Sequence, residues 1–104
     1  MKISDPILTR FRHDLDAFYG NRLERVVLFG SRARGDARPN SDYDVAIFLK
    51  NYSNFGIESD ALSGIELDIM YDTDAIINSL PFPAGAYQEG TPLMYELRRE
   101  GVDL

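Results

Sequence analysis

The 104-residue chain contains no cysteine, no tryptophan and a single histidine. Without cysteine it can form no disulfide, no zinc–thiolate site and no thiol nucleophile. The one histidine, His13, lies between Arg12 and Asp14 in a helical pattern, where a solvated surface role is typical. One imidazole cannot build a histidine-ligated metal cluster. A metal site in this chain would therefore depend mainly on oxygen ligands.

Long apolar runs and an excess of basic residues are also missing. No stretch approaches the roughly 20 apolar residues of a membrane-spanning helix, and no signal peptide is recognisable, so we expect a cytoplasmic protein without membrane contact. The 17 acidic and 11 basic residues give a net charge of −6. Nucleic-acid binding depends on clustered lysine and arginine, so this charge argues against it. The length predicts one domain covering residues 1–104.

One central stretch, Val26 to Leu49, carries most of the chemical information: VVLFGSRARGDARPNSDYDVAIFL. It begins and ends with apolar runs, Val26–Phe29 and Val45–Leu49, that are too short for helices and rich in strand-forming residues. Glycine and serine follow the first run, and an Asp-Tyr-Asp triplet precedes the second. The pattern predicts a strand, a tight turn, one turn of helix, a loop and a second strand.

Two carboxylates, Asp42 and Asp44, are expected on one face of the second strand. Residues two apart point to the same side of a strand and lie about 6.6 Å apart along it. Neighbouring like charges repel, so a fold seldom places them together for stability alone. Mg²⁺ prefers oxygen ligands and bridges carboxylates to phosphates, and two such ions can bind both oxygens of an in-line displacement.

The turn between the two strands has the composition of a phosphate-binding site. Gly30 permits a sharp turn and a close approach of the backbone to a ligand. Ser31 would open a short helix whose first N–H groups face outward, and Arg32 can grip phosphate in bidentate fashion. No Gly-Lys-Ser/Thr follows, so this is not a Walker P-loop. Ser41 fits either contact with the site or a plain turn.

Gly30-Ser31, ten intervening residues and Asp42-x-Asp44 together resemble the signature of the DNA polymerase beta-like nucleotidyltransferase superfamily. The longer match, GSRARGDARPNSDYDV, is similar to the minimal nucleotidyltransferases (MNT) that pair with HEPN proteins in toxin–antitoxin modules. The resemblance implies an α/β fold, a small twisted mixed sheet flanked by helices. It also implies two Mg²⁺ ions and ATP, with Gly30, Ser31 and Arg32 at the β- and γ-phosphates.

The superfamily completes its metal site with a third carboxylate on an adjacent strand. Ile65 to Tyr71 alternates apolar and polar residues and predicts a third strand, which would place Asp68 on the face shared by Asp42 and Asp44. We therefore assign Asp68 as the third metal ligand and as the group that helps to deprotonate the acceptor. Glu66 and Asp72 have the same phase and are its rivals.

The remaining elements are predicted from caps and periodicity. Ser4 to Tyr19 has a helical stripe with Ser4 as its N-cap, and Thr91-Pro92 opens a last helix that ends before Gly101. Lys50 to Gly64 has turn chemistry and reads as a loop with a possible short helix. Thr73 to Leu80 reads as a short helix, followed by an extended connection over residues 81–85.

The activity implied by the resemblance is transfer of AMP from ATP to a hydroxyl, with release of pyrophosphate. A domain of this size has little room for an acceptor pocket, so we expect the acceptor on a partner protein: a tyrosine of a HEPN toxin, which makes this chain an antitoxin. Two alternatives stay open. The chain could mask its partner by stoichiometric binding, or it could modify a small molecule, as aminoglycoside nucleotidyltransferases do. Homo- or hetero-oligomers are compatible with each of these three hypotheses.

Overall fold

The computed structural model describes residues 5–104 and combines four strands with four α-helices and two 3₁₀ turns. The helices are α1 (Pro6–Tyr19), α2 (Ser31–Arg34), α3 (Phe55–Thr73) and α4 (Pro92–Glu100). The strands are β1 (Leu23–Phe29), β2 (Tyr43–Leu49), β3 (Ile77–Pro83) and β4 (Val102–Asp103). The 3₁₀ turns cover Gly20–Arg22 and Ala84–Gln88.

The four strands form one mixed sheet in the order β3-β2-β1-β4. β1 is antiparallel to both β2 and β4, whereas β2 and β3 are parallel. This confirms the predicted α/β class with a small mixed sheet flanked by helices. The parallel pair requires a crossover between β2 and β3, and α3 provides it.

Each face of the sheet has its own core. On one face, α1 and α3 pack against alternate residues of β1 and β2, with Phe11, Leu15 and Ile69 fully buried. On the other face, α4 and the second 3₁₀ turn cover Val27 and Phe48. Because side chains alternate along a strand, Asp44 shares the α4 face with Phe48.

The helix ends follow local capping rules. α1 begins after Asp5, whose side chain accepts from the backbone N–H groups of Ile7 and Leu8. The predicted cap, Ser4, lies outside the described residues. α4 begins as predicted, with the Thr91 hydroxyl accepting from the Met94 N–H at 3.2 Å.

The predicted third strand, Ile65 to Tyr71, is wrong, because these residues belong to the 19-residue helix α3. Ile69 is fully buried, but Leu67 and Tyr71 are 47% and 79% exposed, although a strand would have put all three on one face. Ile65 and Ile69 are four apart, a spacing that fits a helical stripe as well as strand alternation. The helix begins after Asn54, within the segment predicted as a loop with a possible short helix.

The predicted helix over Thr73 to Leu80 is also wrong, because α3 ends at Thr73 and the parallel edge strand β3 follows. Asp74 stops the helix by adopting a left-handed conformation with φ of 64°. Pro81 lies opposite Ile47 in the ladder. Proline is tolerated there because an edge strand leaves one side of its backbone unpaired.

Across residues 5–104, no helix combines the length and apolar character needed to cross a membrane.

Candidate active site

The predicted site residues other than Asp68 lie at one edge of the sheet, where β1 ends and β2 and β3 begin. Gly30 follows β1, and Asp42 and Asp44 flank the first residue of β2. In the ladder, Asp44 has Phe29 of β1 on one side and Asn78 of β3 on the other. The fold therefore places the Gly30-Ser31 turn beside Asp44, with Asp42 two residues earlier in the chain.

Gly30 is held so close to Asp44 that no side chain fits between them. A Cβ on Gly30 would lie 2.5 Å from Asp44 Oδ2 and 3.3 Å from its Cγ. The glycine also has φ of 76° and ψ of −155°, a conformation that is essentially restricted to glycine. Gly30 is required here both for the turn and for the space taken up by the carboxylate.

Ser31 begins α2, whose backbone wraps around the Gly30 carbonyl. The N–H groups of Ala33 and Arg34 donate to that carbonyl at 3.2 and 3.1 Å. In any helix the first N–H groups have no intrahelical acceptor, so those of this turn are available to an anion. Ser31 lies beside them and has no role in capping α2, since Gly30 is the N-cap residue.

Asp42 and Asp44 differ in their surroundings. Asp42 is exposed at the mouth of the site and accepts a hydrogen bond from the Asn78 side-chain amide, with 3.1 Å between Nδ2 and Oδ2. Asp44 is partly buried beneath the Gly30 turn. Carboxylate oxygens arranged in this way suit Mg²⁺, which commonly combines one or two carboxylates with substrate phosphates. The donor set therefore fits a divalent cation.

Arg32 makes its contacts with the loop that carries Asp42. Its Nη2 donates to the Ser41 carbonyl at 2.7 Å and to the Pro39 carbonyl at 3.2 Å. Its guanidinium also lies 3.9 Å from the centre of the Tyr43 ring. Arg32 thus ties α2 to the residues on both sides of Asp42, a use that the sequence alone did not indicate.

Tyr43 and Ser41 complete the support of this loop. The Tyr43 hydroxyl donates to Asp5 Oδ2 at 2.8 Å, and burial together with this bond raises the pKa of Tyr43. The Ser41 hydroxyl accepts from the Arg38 N–H at 2.9 Å, which is the geometry of a turn. The turn interpretation of Ser41 is therefore the one that its contacts favour.

An open cleft of about 510 Å³ adjoins Asp42. Its walls come from the loop after α2, the start of β2 and the residues that join α3 to β3. Arg32, Ser41, Asp42, Asp74 and Ile76 are among the residues that line it. A cavity of this volume is in the range of small-molecule sites.

Comparison with protein-family models identifies the family of this domain. The family model described as a nucleotidyltransferase domain matches residues 8–87, which include the turn, both carboxylates and all of β3. The chain belongs to the nucleotidyltransferase domain family.

One relative of this nucleotidyltransferase domain has a name that is consistent with the family. A protein of Methanocaldococcus jannaschii, named as a candidate protein adenylyltransferase, is 46% identical over 44 residues. That match covers 42% of this chain and 44% of the relative, so the chain matches less than half of that relative's length.

Two solved structures share the fold of the domain. One is a crystal structure described as a toxin–antitoxin with AMP-PNP, with a TM-score of 0.63 at 18% identity, covering 89% of this chain and 68% of that one. The other is a candidate nucleotidyltransferase from Sulfolobus solfataricus, with a TM-score of 0.50 at 20% identity, covering 99% and 89%.

The third predicted metal ligand, Asp68, lies apart from the pair. It is exposed on α3, which packs on the sheet face opposite to that of Asp44. The strand that would have carried Asp68 to the site does not exist, because residues 65–71 belong to α3. The geometric reason for assigning Asp68 as a metal ligand and base is therefore wrong. Within residues 5–104, no three Asp, Glu or His residues come together in an arrangement able to hold a metal ion.

Glu66 and Asp72, the two alternatives to Asp68 as the third metal ligand, form other contacts. Glu66 accepts from the Ser79 N–H at 2.8 Å and from the Ser79 hydroxyl at 2.6 Å, which fastens α3 to β3. Asp72 forms an ion pair with Arg10 at 2.9 Å. The adjacent strand instead contributes Asn78, which sequence reasoning missed because it had assigned that segment to a helix.

Proposed function

We propose that this nucleotidyltransferase domain transfers AMP from ATP to a hydroxyl group on a partner protein. The observation that carries the proposal is the close contact of Asp44 with Gly30 at one edge of the sheet, with Asp42 two residues before Asp44. Membership of the nucleotidyltransferase family supports the reaction class. The choice of ATP and of a protein acceptor is supported by the relative named for protein adenylyltransferase activity.

Each residue of the site has a defined task in this proposal. Asp42 and Asp44 would hold Mg²⁺, which supplies charge neutralisation and triphosphate orientation when it is bound. Gly30 lets the backbone approach the phosphates, and Ser31 offers its hydroxyl beside the first N–H groups of α2. Arg32 fixes the Asp42 loop and leaves phosphate binding mainly to the turn.

The reaction itself is a displacement at the α-phosphorus of ATP. The acceptor oxygen forms a bond to this phosphorus, the bond to the bridging oxygen of the β-phosphate breaks, and pyrophosphate leaves. The hydroxyl proton passes to solvent. The protein contributes mostly position and electrostatics, which are the main terms in phosphoryl-type transfers.

The proposed acceptor is a tyrosine of a HEPN toxin, so that the domain acts as an antitoxin. The site is an open edge of the sheet, and the cleft beside Asp42 is large enough for part of a nucleotide but has no enclosed chamber for a second substrate. A surface of another protein can close such a site. The fold shared with a toxin–antitoxin structure that holds AMP-PNP fits this proposal.

A second candidate, a stoichiometric antitoxin with a weak catalytic site, is favoured by one observation. The strand beside Asp44 supplies the amide of Asn78 where a third carboxylate would stand. Masking of the partner by binding alone would tolerate that change.

The decisive experiment incubates the protein with α-labelled ATP, Mg²⁺ and the protein encoded by the neighbouring gene. Label on a tyrosine of that protein, absent when EDTA replaces Mg²⁺, is the expected result. A panel of hydroxylated small molecules serves as the comparison. Complex formation without any labelled acceptor would favour the masking function, and labelling of a small molecule alone would contradict a protein acceptor.

A further inference from the structure

Asp44 has neighbours on both sides in the sheet, and neither is acidic. Phe29 stands opposite it on β1, and Asn78 stands opposite it on β3. Paired residues on adjacent strands present their side chains on the same face, so a carboxylate that joins Asp44 from a neighbouring strand would have to stand at one of these two positions. Position 78 is the polar one of the two.

The Asn78 side chain is directed at the site, because its amide nitrogen is 3.1 Å from Asp42 Oδ2. An amide that donates to a carboxylate holds it in place without adding negative charge. The amide carbonyl is a neutral ligand, and the affinity of a site for a divalent cation follows the charge of its ligands. A third carboxylate at this position would instead repel Asp42 until a cation bound.

We infer that Asn78 is a positioning residue for Asp42 that leaves the metal site one carboxylate short of a two-metal centre. The site then holds one divalent cation, with the triphosphate supplying further ligands, rather than the two ions implied by the resemblance. This inference rests on the proposed function only for the identity of the cation's other ligand, ATP. The metal affinity of the free protein can be measured without any nucleotide.

The test is a calorimetric titration of the full chain with Mn²⁺ alone, carried out on the wild type and on three variants. Asn78→Asp adds the missing carboxylate at an exposed position on an edge strand, where the fold should tolerate it. Asn78→Ser removes the amide without adding charge. Asn21→Asp makes the same chemical change in the exposed 3₁₀ turn before β1, at the other end of the sheet.

We expect Asn78→Asp to bind Mn²⁺ at least about tenfold more tightly than the wild type, because ligand charge sets cation affinity. Asn78→Ser and Asn21→Asp should bind no more tightly than the wild type. In EDTA, Asn78→Asp should melt at a lower temperature than the wild type, and Mn²⁺ should remove that difference.

Three results would overturn the inference: no gain in Mn²⁺ affinity for Asn78→Asp, an equal gain for Asn21→Asp, or a wild type that already binds two Mn²⁺ ions as tightly as Asn78→Asp. The transfer assay with labelled ATP is scored separately. A tighter Mn²⁺ site in Asn78→Asp, combined with no AMP transfer by any form, would retain this inference and refute the proposed function.

Discussion

The α-carbon of Gly30 and the carboxylate of Asp44 are in such close contact that a methyl group on Gly30 would lie 2.5 Å from Asp44 Oδ2. The turn that is suited to phosphate and the carboxylate that is suited to metal are thus parts of one packed unit. A change to either should disturb the other.

Gly30→Ala should weaken metal-dependent ATP binding by more than about tenfold and cost about 1–3 kcal/mol of stability, because it combines a disfavoured backbone conformation with displacement of Asp44. Gly20→Ala is the matched control, since Gly20 also has a positive φ, 54°, but nothing lies within 4 Å of its added Cβ. Thermal melting with and without ATP and Mg²⁺ checks both. Equal loss of ATP binding in the two variants would argue against a specific Gly30–Asp44 contact.

The double variant Asp42→Asn with Asp44→Asn should abolish AMP transfer and leave the fold intact. It removes two neighbouring charges with little change in shape, so stability without metal should be unchanged or slightly higher. Asp68→Asn is the control, and it should transfer AMP at the wild-type rate because Asp68 is exposed on α3.

The same double variant separates the two antitoxin models. An enzyme should lose its ability to protect cells from the partner toxin, whereas a masking module should retain it. Protection by a folded, inactive double variant would refute the enzymatic model.

Arg32→Lys should lower AMP transfer and cost about 1–2 kcal/mol, since a lysine cannot reproduce the forked contacts with the carbonyls of Ser41 and Pro39 or the stacking on Tyr43. Arg34→Lys is the matched control, because the Arg34 side chain forms an exposed 3.4 Å pair with Asp36, and it should change stability by less than about 0.5 kcal/mol. Urea unfolding and initial rates of transfer measure the two effects. Equal stabilities and equal transfer rates of the two variants would contradict a positioning role for Arg32.

Tyr19→Phe should reduce the loss of stability at alkaline pH. Burial, together with the nearby Glu58 carboxylate, raises the pKa of Tyr19 to about 12, and its hydroxyl is buried without a hydrogen-bond partner among residues 5–104. The folded state therefore keeps this proton between about pH 10 and 12 while the unfolded state releases it. Stability should fall by about 1.4 kcal/mol per pH unit there through this group.

Urea unfolding at pH 7, 10 and 11 measures this pH dependence. Below pH 10 the Tyr19→Phe variant should be as stable as the wild type or more so, because it removes an unpartnered buried hydroxyl. Tyr71→Phe, at a side chain 79% exposed, should keep the wild-type alkaline slope. An unchanged slope in Tyr19→Phe would show that another group, such as Tyr43, accounts for the loss.

The sequence by itself determined the local unit between Val26 and Leu49. Short apolar runs, a glycine at a turn and carboxylates two apart are all patterns that act over a few residues, so the strands, α2 and the face shared by Asp42 and Asp44 could be read directly. The capped start of α4 at Thr91 belongs to the same class of information.

Only the tertiary structure decided what completes the site. Ile65 and Ile69 are four residues apart, a spacing that fits one face of a strand and one face of a helix equally well. Only the exposure of Leu67 and Tyr71 in the folded structure distinguishes the helix from the strand. Once α3 takes residues 55–73, the parallel strand must come from residues 77–83, and the ladder then sets Asn78 beside Asp44. That pairing joins residues 34 positions apart, so no local pattern in the chain could specify it.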